Sequence, residues 1–284
     1  MAINVRTDMA SESHRLLKKD PDLSELPGVI AGEETLQGFP LYSVEIVSEE
    51  GARALKKPLG KYFTLEPERF FERGSDSFFP AVQAVAQLIR NCFSKSVPSS
   101  VLVAALGNPD ITPDSLGPLT ASSLIVTRHL KSAGHPLFAS FRSLSLCCTG
   151  VLGTSGIESA LHIKTLCQVV KPDLVIAVDA LAGADPDRLC RTIQVSSSGI
   201  APGSGVGNDR EELSLAYLGV PVIGIGVPTV IDAEQFGYKG ESRMFVTPRN
   251  IDSLVRSAAR LIGYGINLAV HDGMHIEDVD MLLG

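Results

Sequence analysis

Continuous apolar runs alternate along the chain with segments that have the spacing of amphipathic helices. The runs Ser100–Leu106 and Asp173–Val178 are apolar almost throughout, which predicts strands buried on both faces of a sheet. Helical spacing predicts helices at Pro80–Phe93, Ile157–Val170 and Ile251–Val270. Buried strands that alternate with helices predict an α/β fold with a mixed, mostly parallel sheet flanked by helices.

Shorter patterns add further elements to this prediction. The added strands are Pro40–Val47, Leu137–Leu146, Arg191–Val195 and Val222–Val227, and the added helices are Leu119–Leu130 and Glu211–Leu218. The first 25 residues are polar and charged, which predicts a peripheral arm. Because no linker-like composition divides the remaining chain, we expect a single domain after that arm.

Composition narrows the class of protein. The chain has 284 residues, 44% of them hydrophobic, so it can bury a large aliphatic core and is not intrinsically disordered. A net charge of −7 argues against nucleic-acid binding, and no run reaches the roughly 18 apolar residues that a membrane span needs. Five cysteines without a CxxC pair predict reduced thiols in a cytoplasm-like compartment and no structural zinc.

Two acids follow the apolar strands at positions where α/β sheets bind ligands. Asp114 closes the loop after Leu106, and Asp179 directly follows Val178. Two neighbouring carboxyl groups suit hydrolysis, because one can deprotonate water while the other, holding a proton, polarises a carbonyl. Position alone leaves Asp114 equally open to a helix-capping role. A buried acid at Asp179 is harder to explain without a function, whereas Asp110 in the same loop is typical of a turn.

The glycine-rich segment Pro202–Asn208 is a weaker signal. It reads GxGxG, and no P-loop lysine follows it. Its residues Gly203, Ser204 and Gly205 can instead form the wall of a site that a peptide backbone approaches closely. A catalytically silent small-molecule or nucleotide binder that uses Gly203–Gly207 stays open as a hypothesis. No G-x-S-x-G motif or zinc-ligand spacing of histidines supports other hydrolytic chemistry.

Ten segments, distributed from near the start of the chain to the last long helix, carry a resemblance to a known family. They are Arg6–Ala10, Tyr62–Glu66, Leu106–Asn108, Thr112–Pro118, Lys171–Leu181, Thr192–Gln194, Pro202–Asn208, Leu218–Asp232, Val246–Pro248 and Ile251–Asp252. In these segments the chain resembles the bacterial spore germination proteases, which degrade small acid-soluble spore proteins.

The resemblance implies an atypical aspartic-type endopeptidase in which Asp114 and Asp179 are catalytic. It also implies a fold similar to that of hydrogenase maturation proteases, whose LGN-type loop corresponds to the one that contains Asn108. No cofactor, nucleic acid or membrane is implied; the expected partners are small acid-soluble spore proteins as substrates and further copies of the chain in a homotetramer in the cytoplasm of the forespore. The chain looks short for the family at residues 233–244.

The resemblance further implies a zymogen that processes itself. The family's substrates are cut within an acid, a large apolar residue, Ala, a small residue and Glu, and Thr7–Glu12 (TDMASE) fits that pattern. The expected scissile bond joins Ala10 to Ser11, so residues 1–10 would be a propeptide and 11–284 the peptidase domain. Without the resemblance, the same residues are typical of a helix start with Ser11 as its cap.

Glu66 is a third acid that can line the site, or equally a surface charge before Pro67. Asp114 and Asp179, with or without Glu66 as a third ligand, could bind a divalent ion through oxygen. A metal-dependent maturation endopeptidase of the same fold is therefore the alternative to the two-aspartate enzyme.

Overall fold

The computed structural model describes residues 7–18, 26–67, 70, 72–93, 97–203, 211–240 and 243–283. The strands found there are β1 (Val29–Leu36), β2 (Phe39–Ile46), β3 (Gly60–Leu65), β4 (Ser100–Leu106), β5 (Ser143–Gly150), β6 (Leu174–Gly183), β7 (Ile193–Ser196), β8 (Val222–Asp232) and β9 (Phe245–Val246). The helices are α1 (Ala10–Lys18), α2 (Glu49–Leu55), α3 (Phe78–Asn91), α4 (Leu116–Ala121), α5 (Arg128–Ser132), α6 (Leu152–Ser155), α7 (Ser159–Val170), α8 (Leu215–Leu218), α9 (Ile251–Val270) and α10 (Ile276–Leu283).

All of these strands belong to one mixed sheet flanked by helices, which confirms the predicted α/β class, but three of their eight pairings are parallel and five are antiparallel, so the sheet is less parallel than predicted. Its order is β1-β2-β3-β7-β8-β6-β4-β5, and β9 pairs with β8. Neighbours among β8, β6, β4 and β5 are parallel, whereas β1, β2, β3, β7 and β9 pair in antiparallel fashion. Because β4 and β6 are parallel neighbours, their carboxyl ends meet at one edge of the sheet.

Helices cover both faces of the sheet. On one face α3 and α9 pack over Val103 and Val178 in the largest core cluster. On the other face α7 and α8 pack over Leu106 and Ala177, and α1 and α2 pack over β2 and β3. Among the helices of the described residues, none combines the length and the apolarity that crossing a bilayer requires.

Several predicted boundaries need correction. β6 does not end before Asp179 but continues to Gly183, because its backbone stays paired with β8 along that length. The helix predicted at Leu119–Leu130 is divided into α4 and α5. Between them the backbone N–H groups find distant partners, since Ile125 donates to the Asn267 side chain and Thr127 donates to Leu144.

The prediction of a peripheral N-terminal arm is wrong for residues 7–18. Met9, Ala10 and Ser11 are fully buried, and α1 begins at Ala10. Glu12 and His14 are buried as well, at 4% and 3% exposure. Polar side chains can be buried in this way when each has a hydrogen-bond partner, and here the partners come from strands and loops far along the chain.

Candidate active site

Asp114 and Asp179 line one cavity at the carboxyl edge of β4 and β6. The cavity has a volume of about 340 Å³, and the predicted wall residue Gly203 also lines it. Asp179 is only 4% exposed, and its Oδ1 accepts a hydrogen bond of 2.9 Å from the Ala180 N–H. The structure therefore brings together the two acids that the strand-end argument selected.

A short loop presents Asp114 to this cavity. Asp114 is the last residue of the 3-10 turn Thr112–Asp114, and its Oδ2 accepts a hydrogen bond of 2.9 Å from the Asn108 N–H. Through this hydrogen bond, the Asp114 side chain stabilises the loop that follows β4. Helix capping does not explain Asp114, because Ser115 is the residue that immediately precedes α4.

Two glycines allow this loop to pack tightly against the strand ends. Gly107 has φ of 105°, and a Cβ there would lie 2.0 Å from the Asp114 carbonyl oxygen. A Cβ at Gly117 would lie 2.2 Å from the Leu106 oxygen and 2.7 Å from the Val178 oxygen. Both contacts are impossible for a real side chain, so these positions need glycine to hold the two acids at one edge.

The remaining predicted site residues have different positions. Asn108 acts through its N–H on Asp114, while its own side chain accepts from the Asp110 N–H at 3.0 Å, as in a turn. Glu66 lies in a separate groove, where it forms an ion pair with the nearly buried Arg188. Glu66 therefore does not join Asp114 and Asp179 as a third carboxylate, and the described residues contain no group of three or more His, Cys, Asp or Glu side chains placed to hold a metal ion. Ser204 and Gly205 lie outside the described residues.

Asp8 is a third acid in the cavity wall, and the sequence did not indicate its position. Its N–H donates to the Ala182 carbonyl at 2.9 Å, and its carboxylate accepts from the Ala182 N–H at 2.8 Å. The segment that contains the expected Ala10–Ser11 cleavage bond is therefore docked on β6, three residues beyond Asp179.

Glu12 holds the next part of this segment. Its carboxylate accepts hydrogen bonds from the Ala184 N–H at 2.7 Å and the Asp185 N–H at 3.3 Å, and a further one from the Thr7 hydroxyl. Burial raises the pKa of Glu12, and these hydrogen bonds and the Arg188 charge partly oppose that shift. The residues of the expected cleavage bond thus lie between Asp8, which is half-buried, and Glu12, which is buried.

Side chains from elsewhere in the chain also bind residues 7–11 of this segment. The Gln194 amide accepts from the Ala10 N–H at 2.8 Å and donates to the Asp8 carbonyl at 3.1 Å. Arg188 donates to the Ser11 hydroxyl at 2.9 Å, and Lys57 donates to the Thr7 carbonyl at 3.1 Å. Burial lowers the pKa of Lys57, while Asp8 and Glu12 oppose the shift.

The fold and the cavity define an α/β protein with a two-carboxylate candidate active site. The sequence model of the family described as germination protease matches residues 2–240. A germination protease from Caldanaerobacter subterraneus subsp. tengcongensis is 38% identical over 325 aligned positions, which cover 100% of this chain and 99% of the relative. One from Priestia megaterium is 43% identical over 239 positions, 81% of this chain and 64% of the relative.

Among solved structures, the [NiFe] hydrogenase maturation protease HycI from Thermococcus kodakarensis aligns with a TM-score of 0.40 and 18% identity, over 64% of this chain and 98% of that one. The sequence matches are sufficient to establish the family of this chain. This chain is a protease, and it belongs to the germination protease family.

Proposed function

We propose that this protease begins the degradation of small acid-soluble spore proteins, with Asp114 and Asp179 as its catalytic pair. The observation that supports this most directly is that both acids line one cavity of peptide-binding size at the edge of the parallel strands. The metal-dependent alternative, in which Asp114 and Asp179 bind the ion with or without Glu66, has less support, because Glu66 is paired with Arg188 in another groove and the described residues hold no group of three or more metal-ligating side chains.

In the proposed mechanism, the ionised member of the pair takes a proton from a water molecule. The resulting hydroxide attacks the peptide carbonyl carbon, while the protonated member donates a hydrogen bond to the carbonyl oxygen. Collapse of the tetrahedral intermediate transfers a proton to the amide nitrogen and breaks the C–N bond. Two carboxyl groups that share a cavity favour this single-proton state, since ionisation of one disfavours ionisation of the other.

The proposal includes processing of residues 1–10 by cleavage between Ala10 and Ser11, in a homotetramer in the forespore cytoplasm. In the structure that bond lies in the first turn of α1, and both of its residues are fully buried. Protease substrates are bound in extended form, so the segment must leave its position before it is cut. In a zymogen we expect the N-terminal segment to stay docked and uncut in this way.

Cleavage of a purified small acid-soluble spore protein by single-residue variants tests the catalytic pair. We expect Asp114→Asn and Asp179→Asn each to lower the rate by about 100-fold or more, because each removes a proton-transfer group. Asp110→Asn, in the same loop but in a turn, should cleave at the wild-type rate. Full activity in either site variant would reject the pair, and loss of wild-type activity in a strong chelator would favour the metal-dependent enzyme.

Processing and assembly need separate measurements. N-terminal sequencing after mild acidification should find a new terminus at Ser11, and a different terminus would reject the proposed bond. Light scattering of the purified chain should give the mass of four copies, whereas the mass of a monomer would reject the tetramer.

A further inference from the structure

A row of directly paired residues crosses five strands on the face of the sheet that carries Asp179. The pairs are Asp179–Gly226, Gly226–Gln194, Gln194–Thr64 and Thr64–Tyr42. Directly paired residues project to the same face, and neighbouring strands are about 4.8 Å apart. The Cα atoms of Asp179 and Gln194 are therefore about 10 Å apart, two strand spacings.

The N-terminal segment lies along this row in order. Asp8 lines the acid cavity, and Ala10 donates its N–H to Gln194. Further along, the Ser11 hydroxyl accepts from Thr64 at 3.0 Å, and His14 lies 2.7 Å from the Tyr42 hydroxyl. The row is thus a peptide-binding surface that starts at the acid cavity and continues in the N-to-C direction of the bound peptide.

Gln194 forms hydrogen bonds only with the main chain of this peptide. Its Oε1 accepts from the Ala10 N–H, and its Nε2 donates to the Asp8 carbonyl, so the side chain bridges two residues and leaves Met9 between them. Such a contact does not depend on the side chains of the bound peptide. Gln194 is 7% exposed, so its amide depends on these partners for its hydrogen bonds.

We propose that a substrate binds across the same row and that Gln194 accepts the N–H of the second residue after the cleaved bond. This inference rests on the proposed function and deepens it. In the structure, Gln194 accepts from the residue two positions after the one that lines the cavity. A substrate cut at the cavity presents its residue before the cleaved bond there, so the second residue beyond the cut reaches Gln194.

The same register explains why the chain's own segment blocks the site. Asp8 lies at the cavity, whereas the expected bond follows Ala10, so the docked segment is two residues out of the cutting register. It fills the binding surface without presenting its scissile bond to Asp114 and Asp179. Cutting requires the first turn of α1 to unwind, after which the segment either shifts by two residues or is taken up by a second copy of the chain.

The experiment uses the full chain with Met9→Asp, because a carboxylate in place of a fully buried side chain should expel the segment from the row. Met281→Asp, at a methionine that is 72% exposed, is the matched control and should leave the segment docked. The probe is a labelled peptide of residues 6–14. Anisotropy in an Asp179→Asn background measures its binding, and mass spectrometry of the chain with Asp179 measures its cleavage.

Three peptides are compared: the unmodified one, one N-methylated at Glu12 and one N-methylated at Ala10. In the opened chain we expect Gln194→Ala to weaken binding by about tenfold, as loss of a buried hydrogen bond does. N-methylation at Glu12 should weaken it similarly and add little in the Gln194→Ala chain, whereas N-methylation at Ala10 should act independently of Gln194. Gln87→Ala, at an exposed site on α3, should bind normally, and circular dichroism confirms that each variant is folded.

The outcomes separate this inference from the proposed function. Three outcomes would overturn the assigned register. They are that Gln194→Ala cancels the effect of N-methylation at Ala10, that it cancels the effect of neither N-methylation, or that the peptide does not bind the opened chain. Coupling to the Glu12 N–H supports the register. A peptide that binds with this coupling but is never cut would overturn the proposed function and leave the binding register standing.

Discussion

Replacement of Met9 by alanine tests what holds the N-terminal segment on the sheet. Met9 is fully buried in a cluster that includes Leu181 and Ile200. Truncation of a buried methionine to alanine removes about 2–5 kcal/mol of stability. Because the sheet keeps all of its pairing when the segment leaves, we expect this loss as local opening rather than global unfolding. A loss of about 2 kcal/mol raises the open fraction about 30-fold.

Hydrogen exchange of individual backbone amides measures that opening. The Ala10 N–H is bound to Gln194, and the Ser13 N–H is bound to the Met9 carbonyl at 3.1 Å. Both should exchange about 30-fold faster in Met9→Ala, while the amides of α9 keep their rates. Met281→Ala, at an exposed methionine, is the control. Unchanged exchange at Ala10, or equal acceleration in α9, would refute apolar anchoring of an independently opening segment.

Two further substitutions test the packing at the site and the pH dependence of stability. Gly117→Ala should destabilise the chain by about 3 kcal/mol or more in urea unfolding, because its Cβ would overlap the backbone of β4 and β6, whereas Gly153→Ala has open space and should be tolerated; equal stability of both variants would reject the close approach. Burial lowers the pKa of His271 from 6.5 to about 4, and its Nδ1 accepts from the Arg142 N–H, which requires a neutral ring. The free energy of unfolding that neutral His271 contributes is therefore fully present above the unfolded pKa of 6.5. It is lost as the pH falls towards 4, and the loss between pH 7 and pH 5 is about 2 kcal/mol. His271→Asn should flatten the dependence of the unfolding free energy over that range and the exposed control His275→Asn should not; a slope unchanged in His271→Asn would reject the assignment.

The strength of a local pattern decided how well each element could be predicted. Ser100–Leu106 and Ile251–Val270 agree with the observed β4 and α9 residue for residue, because a continuous apolar run and a clear helical period leave one solution. β1 gave no signal. Its middle residues are exposed on both faces, so it has no alternation of apolar and polar positions, and it is a strand only because it pairs with β2.

Asp114 and Asp179 could be selected from the sequence because parallel strands place their carboxyl ends at one edge. The position of Asp8 could not, since it depends on a hydrogen-bonded pairing with Ala182, 174 residues further along. Gln194 was likewise hidden. It lies in a short strand beside apolar residues, and only the register across β8 shows that it faces the same side as Asp179.

If the proposed function is right, burial of a polar row would let one surface serve both inhibition and substrate binding. Within the described part of the chain, the side chains of Gln194 and Thr64 form their hydrogen bonds with Asp8, Ala10 and Ser11 of the docked segment. When the segment leaves, these side chains form hydrogen bonds with water instead. A substrate that restores the contacts then competes with the segment for one site. The apparent dissociation constant for substrate then equals the intrinsic dissociation constant divided by the open fraction. A change that opens the segment about 30-fold should therefore lower the apparent KM for the peptide of residues 6–14 by up to the same factor, with kcat unchanged.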